Sequence, residues 1–388
     1  MFERIIIIIA CLLFAGKSMA QHTYGSFYTH DAFINYILSE NSTENAAIVM
    51  IPGANLSSYI YVTTPDGRKG WSDLFADKGY NVYMVNDPKY DFATGGFVDP
   101  YAVPADGKPP TPGSEQGWQS DIWRRWGFGD SQGNPYPDAL FPTEYFNVFA
   151  QNYPYIGTSN QSYSEAVKAV IDSTQSKVWL VAHSAGASRA VTAAIEKKEH
   201  VNGLILIEPA GPPDSDDFPA LNGLHMFGVY GDYIISRNQT SRKLATEAAA
   251  ILFQNAGGVA DVVSLPEDSL VFGNSHMLMQ DRNSLYVFNI IEHWLQQFST
   301  TTIGIESKQD NKANNNLYLR KTTGNIVLIE GISIDGYEYH IYSINGRLLK
   351  KSTVVNRQID VSGMPNGLLF VSFRYKEQLI TKRIMRSR

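Results

Sequence analysis

The sequence predicts an α/β protein: a mostly parallel sheet with helices on both faces and a long insertion as a cap, followed by a small all-β sandwich. Three observations predict it. From Ala46 to Phe298, short apolar runs alternate with segments of helical periodicity. Several of those runs are apolar without interruption, as strands buried on both faces are. After Trp294 the composition turns to Ser, Thr, Lys and Asn, and then to short alternating runs separated by turn residues.

The elements follow in order. Ile5 to Gly16 is apolar behind Met1-Phe2-Glu3-Arg4, and small residues at Ser18 and Ala20 precede Gln21, the pattern of a secretory signal peptide over residues 1–20. An N-terminal anchor is the alternative for this run, which is short for a membrane span; no later stretch is long enough to be one. Cys11 is the single cysteine and falls inside it, so the mature chain is expected to hold no disulfide and to rely on a large core. A net charge of -6 leaves no electrostatic footprint for nucleic acid.

Residues 21–298 read as one large domain. Gly25–Tyr28 and Phe33–Ile37 are expected edge strands, and Ala46–Ile51 a buried parallel strand that ends in Pro52-Gly53-Ala54-Asn55. Pro65-Asp66-Gly67 is a turn, Trp71–Lys78 a short helix and Asn81–Asn86 a strand. Between about 88 and 160 the alternation breaks in favour of prolines and many aromatics, among them Trp118, Trp123, Trp126, Phe128, Phe141, Phe146, Phe149, Tyr153 and Tyr155. An insertion this long reads as a cap or binding loop, with most of its aromatics anchoring it to the sheet. A helix over Tyr163–Ser173 follows, then strands at Gly203–Glu208, Leu224–Tyr230 and Ala260–Leu265, with helices over Ser241–Phe253 and Ser284–Phe298. Residues 299–316 read as a linker, and 317–388 as a β-sandwich with turns at Asp335-Gly336, Asn345-Gly346 and Asn366-Gly367.

One stretch carries chemistry. The run Val178–Ala182 ends in His183-Ser184-Ala185-Gly186, and a helix of small residues follows. This is strand, sharp turn, helix, with a serine at the apex whose hydroxyl is pushed out at the C-terminal edge of the sheet. A serine ahead of a helix also serves as an N-cap, so its partners decide. A serine hydroxyl needs a histidine to take its proton and a carboxylate to orient that histidine, and on such a sheet both follow in chain order from loops at the same edge. His200 closes a helix, His225 starts a strand at the opposite edge, His293 lies in a helix and His340 in the tail; His276 lies in the loop after the last strand. Two carboxylates compete for the acid: Glu208 ends the strand after the serine strand, and Asp232 ends the next. Backbone N–H groups of Ala185, and of Ala54 or Asn55, would face the oxyanion. The scheme calls for no metal and no organic cofactor.

With Pro52-Gly53-Ala54, the residues Ser184, Glu208 and His276 resemble the α/β-hydrolase superfamily. More narrowly, Thr64-Pro65-Asp66-Gly67-Arg68-Lys69-Gly70-Trp71, Glu208-Pro209-Ala210-Gly211-Pro212-Pro213 and Gly231-Asp232 resemble a branch of exported bacterial carboxylesterases. In that branch the acid follows the strand after the nucleophile strand, which implies Glu208, with Asp232 as a supporting residue. Ala182 replaces the first glycine of G-x-S-x-G, and Pro52 replaces a histidine many relatives carry. The tail, through Tyr342–Leu349, Ile359–Val371 and Lys382-Arg383-Ile384-Met385, resembles the C-terminal sorting domain of the type IX secretion system; a carbohydrate-binding module has a similar composition. The resemblances together imply a secreted or surface-attached serine carboxylesterase exported through the periplasm by that machinery and acting on a small or polymeric ester. An amidase or peptidase, or an inactive binding protein on the same scaffold, are the alternatives.

Overall fold

The structure is a computed structural model of the chain. It describes residues 22–88 (without 41, 43–45 and 55), 119–150, 162–298 (without 175) and 318–386 with short gaps at 322–325, 331–334, 344–347, 366 and 376–377. The expected signal peptide, the linker, Asn55, much of the insertion and the turns at Asn345-Gly346 and Asn366 lie outside the described residues.

An eight-stranded sheet organises residues 22–298. Its strands are β1 (Thr23–Thr29), β2 (Ala32–Leu38), β3 (Ala47–Ile51), β4 (Val82–Val85), then, beyond a two-stranded hairpin of β5 (Gly129–Ser131) and β6 (Asn134–Pro135), β7 (Val178–His183), β8 (Val201–Ile207), β9 (His225–Tyr230) and β10 (Ala260–Ser264). The spatial order is β1-β2-β4-β3-β7-β8-β9-β10. β1 and β2 form an antiparallel hairpin joined at His30-Asp31, both at positive φ; β2 meets β4 antiparallel, and the remaining neighbours are parallel. The unbroken apolar runs are explained by the two covered faces. Along β7, Trp179 and Val181 point into one apolar cluster, and Val178, Leu180 and Ala182 into the other. Helices Trp71–Asp77 and Ser284–Gln296 cover the first face; Tyr163–Ser173, Gly186–Glu196 and Thr240–Asn255 cover the second.

The described part of the insertion adds a helix (Gln119–Trp126) and a short helix (Phe146–Ala150). Phe128 stacks on Phe141 at 3.8 Å, and Trp123, Phe146 and Phe149 close around them, all buried. These aromatics anchor the excursion, as expected of most of them. Trp118, Tyr153 and Tyr155 lie outside the described residues.

The Thr64–Trp71 stretch acts as a clamp. The Arg68 guanidinium donates to the backbone oxygens of Gln280 (2.9 Å) and Asp281 (2.8 Å) and to Ser284 Oγ (2.9 Å), while Trp71 Nε1 donates to Ser284 O (3.1 Å). The segment just after β3 is thereby bound to the chain that follows His276. In the tail, β11 (Tyr318–Lys321), β12 (Ile326–Glu330) and β15 (Gln358–Asp360) form one antiparallel sheet; β14 (Leu348–Thr353), β13 (Glu338–Ser343), β16 (Gly367–Tyr375) and β17 (Gln378–Arg386) form another. A separate apolar cluster that includes Ile341, Ile359, Val371 and Phe373 fills the space between them. Among the described residues no helix is long and apolar enough to cross a membrane.

Candidate active site

Ser184 follows β7, central in the sheet, and takes φ +49, a left-handed conformation that a non-glycine residue adopts at a cost. The turn is held by its neighbours: Ser184 N–H donates to Ile207 O (3.0 Å), and Ser184 O accepts from Ala187 N–H (3.1 Å) and Ala210 N–H (2.8 Å). A Cβ on Gly186 would lie 2.6 Å from the carbonyl oxygens of Ile51 and Pro52, and one on Gly53 would lie 2.9 Å from Ser184 Cβ. Small residues flank the serine because the β3 and β7 ends nearly touch. The N-cap alternative for Ser184 does not hold, since Ala185 occupies that position and no side chain caps the helix.

His276 sits 5% exposed in the loop between β10 and the last helix. Its Nδ1 is 2.6 Å from Glu208 Oε2. An ionised carboxylate only accepts, so the contact assigns the ring proton to Nδ1 and leaves the Nε2 lone pair for another partner. Ser184 and His276 both line a cleft of about 450 Å³, together with Ala54, Ala185, Ala210, Ile122, Arg125, Trp126, Gln239 and Arg242. Ala185 stands just ahead of a helix, where N–H groups have no intrahelical acceptor. Of the expected oxyanion donors, Ala54 and Ala185 therefore reach the cleft with the serine, while Asn55 lies outside the described residues.

Glu208, 2% exposed and itself at φ +42, is the carboxylate that meets His276. Asp232 does not: its Oδ1 accepts from Tyr233 N–H (2.6 Å) and its Oδ2 from Gly273 N–H (2.9 Å), which ties the end of β9 to the histidine loop. The residue that sequence reasoning missed is Arg237. Its side chain is fully buried, and it donates through both Nη atoms to the Glu208 carboxylate, through Nη1 to Asp232 O (3.0 Å) and through Nε to Arg125 O (3.1 Å). Gly231 N–H adds a further donor to Glu208 Oε1 (2.8 Å). Burial alone would raise the Glu208 pKa; the Arg237 charge and the hydrogen bonds from His276 and Arg237 overcome it and hold the carboxyl well below its ordinary range. Burial lowers the His276 pKa, with Arg237 and Arg242 adding to the effect and Glu208 opposing it.

Two further groups hold the backbone that carries the imidazole. His183, the buried last residue of β7, places its Nε2 3.0 Å from His276 O and donates to it. Asp281 accepts from Asn274 Nδ2 (2.9 Å), Ser275 N–H (2.8 Å) and Ser275 Oγ (2.6 Å), knitting both residues before His276 into one network. Burial pushes the Asp281 carboxyl up to about 7 against those donors. The cap contributes as well: His276 N–H donates to Trp126 O (2.7 Å), and the two rings lie 5.8 Å apart. His183 was visible in the sequence as part of the serine turn, but nothing local marks it as a loop anchor.

Comparison with known proteins agrees with this fold. The family model "Serine hydrolase" matches residues 147–246, and "Secretion system C-terminal sorting domain" matches residues 311–387, which marks the chain as secreted or held at the cell surface. A curated relative, "Probable secreted lipase phiG" of Fungal sp. (strain ATCC 74256), is 25% identical over 224 residues, 55% of this chain and 59% of its own. The chain thus spans under two thirds of that relative's length. A solved structure described as a novel bacterial esterase aligns with a TM-score of 0.58 at 23% identity, covering 72% of this chain and 93% of its own. The chain therefore has the α/β-hydrolase fold, matches a serine-hydrolase family model over residues 147–246, and ends in a C-terminal sorting domain of the type IX secretion system.

Proposed function

We propose that the protein is a secreted serine carboxylesterase with Ser184 as nucleophile, His276 as general base and acid, and Glu208 as the carboxylate that orients the ring. The observation that carries this reading is the 2.6 Å contact between His276 Nδ1 and Glu208 in a cleft shared with Ser184. Ser184 Oγ attacks the ester carbonyl carbon as its proton passes to His276 Nε2. The oxyanion forms against the N–H groups of Ala185 and Ala54, each such donor being worth about 3 kcal/mol in the transition state. The tetrahedral adduct collapses, the C–O bond to the alcohol breaks, and Nε2–H protonates the departing oxygen. Water then attacks the acyl-serine by the same route, releasing the acid and restoring the hydroxyl. Glu208 keeps its charge throughout and stabilises the imidazolium. No step requires a metal or organic cofactor.

The relative named a lipase and the neighbour described as an esterase are consistent with ester chemistry. We further take residues 21–298 as the catalytic unit, 299–316 as a linker and 317–388 as the portion engaged by the secretion machinery. The test is Ser184→Ala assayed on p-nitrophenyl butyrate, with fluorophosphonate labelling of the parent enzyme in parallel. Loss of at least a thousandfold in kcat/KM, with label on Ser184, is expected. Activity within tenfold of the parent would sink the scheme.

A further inference from the structure

We propose that the cleft selects esters bearing an anionic group, a carboxylate or a similar oxyanion, held by Arg242 close to the scissile bond. The inference rests on the hydrolase reading above and narrows its substrate class. The whole protein is acidic, with a formal net charge of -6, yet Arg242 lines the cleft and no described lining residue is a carboxylate. The Glu208 carboxylate is buried behind His276 and neutralised by Arg237.

Arg242 and the insertion segment facing it across the cleft are carried by fixed backbone. The Arg125 carbonyl accepts from Arg237 Nε (3.1 Å), and the next carbonyl, Trp126 O, accepts from His276 N–H (2.7 Å), so the cap residue is pinned against the catalytic loop. The Arg242 carbonyl accepts from Tyr230 OH (3.0 Å) and Thr246 Oγ1 (3.0 Å). Its Nη1 donates to Gln239 Oε1 (2.9 Å), and Gln239 Nε2 donates to Arg237 O (3.0 Å), a relay that leads back to the arginine behind Glu208. Arg242 is close enough to His276 to disfavour the charged ring.

Helix stability does not account for Arg242. It stands in the first turn of Thr240–Asn255, where a positive charge opposes the helix dipole. Its neighbour Lys243 is satisfied by Glu247 (2.7 Å) and Glu267 (3.0 Å), whereas among the described residues Arg242 forms no ion pair. A guanidinium held by an amide relay at the mouth of an active site, without a carboxylate of its own, is placed to receive an oxyanion in the bidentate manner its shape favours.

The test uses the full chain and two matched pairs of esters. Mono-p-nitrophenyl adipate against p-nitrophenyl hexanoate places the charge on the acyl side; 4-butyryloxybenzoate against phenyl butyrate places it on the alcohol side. In at least one pair, kcat/KM for the anionic member is expected to exceed that of its neutral mate by about tenfold at low ionic strength. That ratio should shrink in 0.5 M salt, because surface charges are screened. Arg242→Gln should lower it at least fivefold, with Arg242→Lys restoring part of the loss. A ratio within twofold of one in both pairs, or one that neither substitution nor salt changes, overturns the inference. Fluorophosphonate labelling of the same preparation separates the levels: labelled Ser184 without charge preference removes this inference alone, whereas no label and no turnover of any ester removes the reading beneath it.

Discussion

Removing Arg237 while leaving every atom of the proposed triad in place tests whether the proposed acid is held by electrostatics. In Arg237→Met the Glu208 carboxylate keeps Gly231 N–H and His276 but loses a fully buried, two-pronged cation. Breaking a buried pair from one side leaves an uncompensated charge and typically costs about 3–5 kcal/mol. The carbonyls of Arg125 and Asp232 lose their donors too, at about 1 kcal/mol each, with side-chain relaxation offsetting part. A net loss of about 4 kcal/mol at pH 8 follows, which for a catalytic body of this size lowers Tm by about 10 °C. The same substitution acts on His276. Its folded pKa is depressed, first by burial and then by Arg237. With the cation gone and Glu208 still ionised, the charged ring is favoured, so the pKa rises. Since the base works only when neutral, the acid limb of the kcat/KM profile must move to higher pH. The assay is a pH–rate profile on a neutral p-nitrophenyl ester beside urea unfolding, with Arg237→Lys as the conservative control. A stability change under 1 kcal/mol together with an acid limb that stays put or moves down would refute the assignment.

Other predictions concern the turn and the acid. Ser184→Gly and Ser184→Ala should both be inactive, yet the glycine variant should be the more stable by about 1 kcal/mol, because φ +49 suits only glycine; equal unfolding midpoints would show an unstrained turn. Glu208→Gln should lower kcat at least a hundredfold while Asp232→Asn, whose side chain holds backbone N–H groups, acts mainly through stability; the reverse order in kcat would move the acid to Asp232. Because the Glu208 pKa is depressed from 4.5 on folding, its contribution is present above that value and is lost as pH falls through the folded pKa. The stability gap between parent and Glu208→Gln, read by urea titration, should therefore be wider at pH 7 than at pH 3.5. Gly186→Ala brings a Cβ within 2.6 Å of two backbone oxygens and should cost about 1–3 kcal/mol with a drop in kcat; parent-like melting would contradict the close approach of β3 to the turn.

The sheet was legible because strands buried on both faces leave no polar interruption, as in Ile48–Ile51 and Leu204–Ile207, and because helices of 3.6 periodicity separate them. Tyr163–Ser173 was expected over the very residues where it forms, and the other helices within a few residues. The insertion was not legible as structure: its helix Gln119–Trp126 has an apolar stripe of Ile122, Trp123 and Trp126, but at eight residues it is too short for its periodicity to stand out among the surrounding prolines and aromatics. In the site, the serine announced itself through local sterics and His276 through its place in chain order. Glu208 and Asp232 could not be separated on residues alone, because both end apolar strands; their difference lies in which way each side chain turns, fixed by partners far away in sequence. Arg237 gave no local signal at all. It follows β9 in an ordinary polar turn, and only the fold brings it to a carboxylate 29 residues earlier.

That arrangement gives a physical reason for the proposed acid to stand after β8. Here β8 lies directly beside the serine strand, so a carboxylate at its end starts closer to the imidazole than one at the end of β9. It is also more deeply enclosed, and an isolated carboxylate there would be driven to take up a proton and lose its hold on the ring. Arg237 removes that difficulty and creates a second effect, since a cation 3.1 Å from His276 Nδ1 disfavours imidazolium. The pair therefore keeps the ring neutral at lower pH than a lone carboxylate would, at the expense of some stabilisation once the ring becomes charged in the transition state. Asp232, freed from the imidazole, binds the N–H of Gly273 and lends its carbonyl to Arg237. The acid, its counter-cation and the residue at the other strand end thus form one unit, and moving the carboxylate from β8 to β9 would require replacing all three.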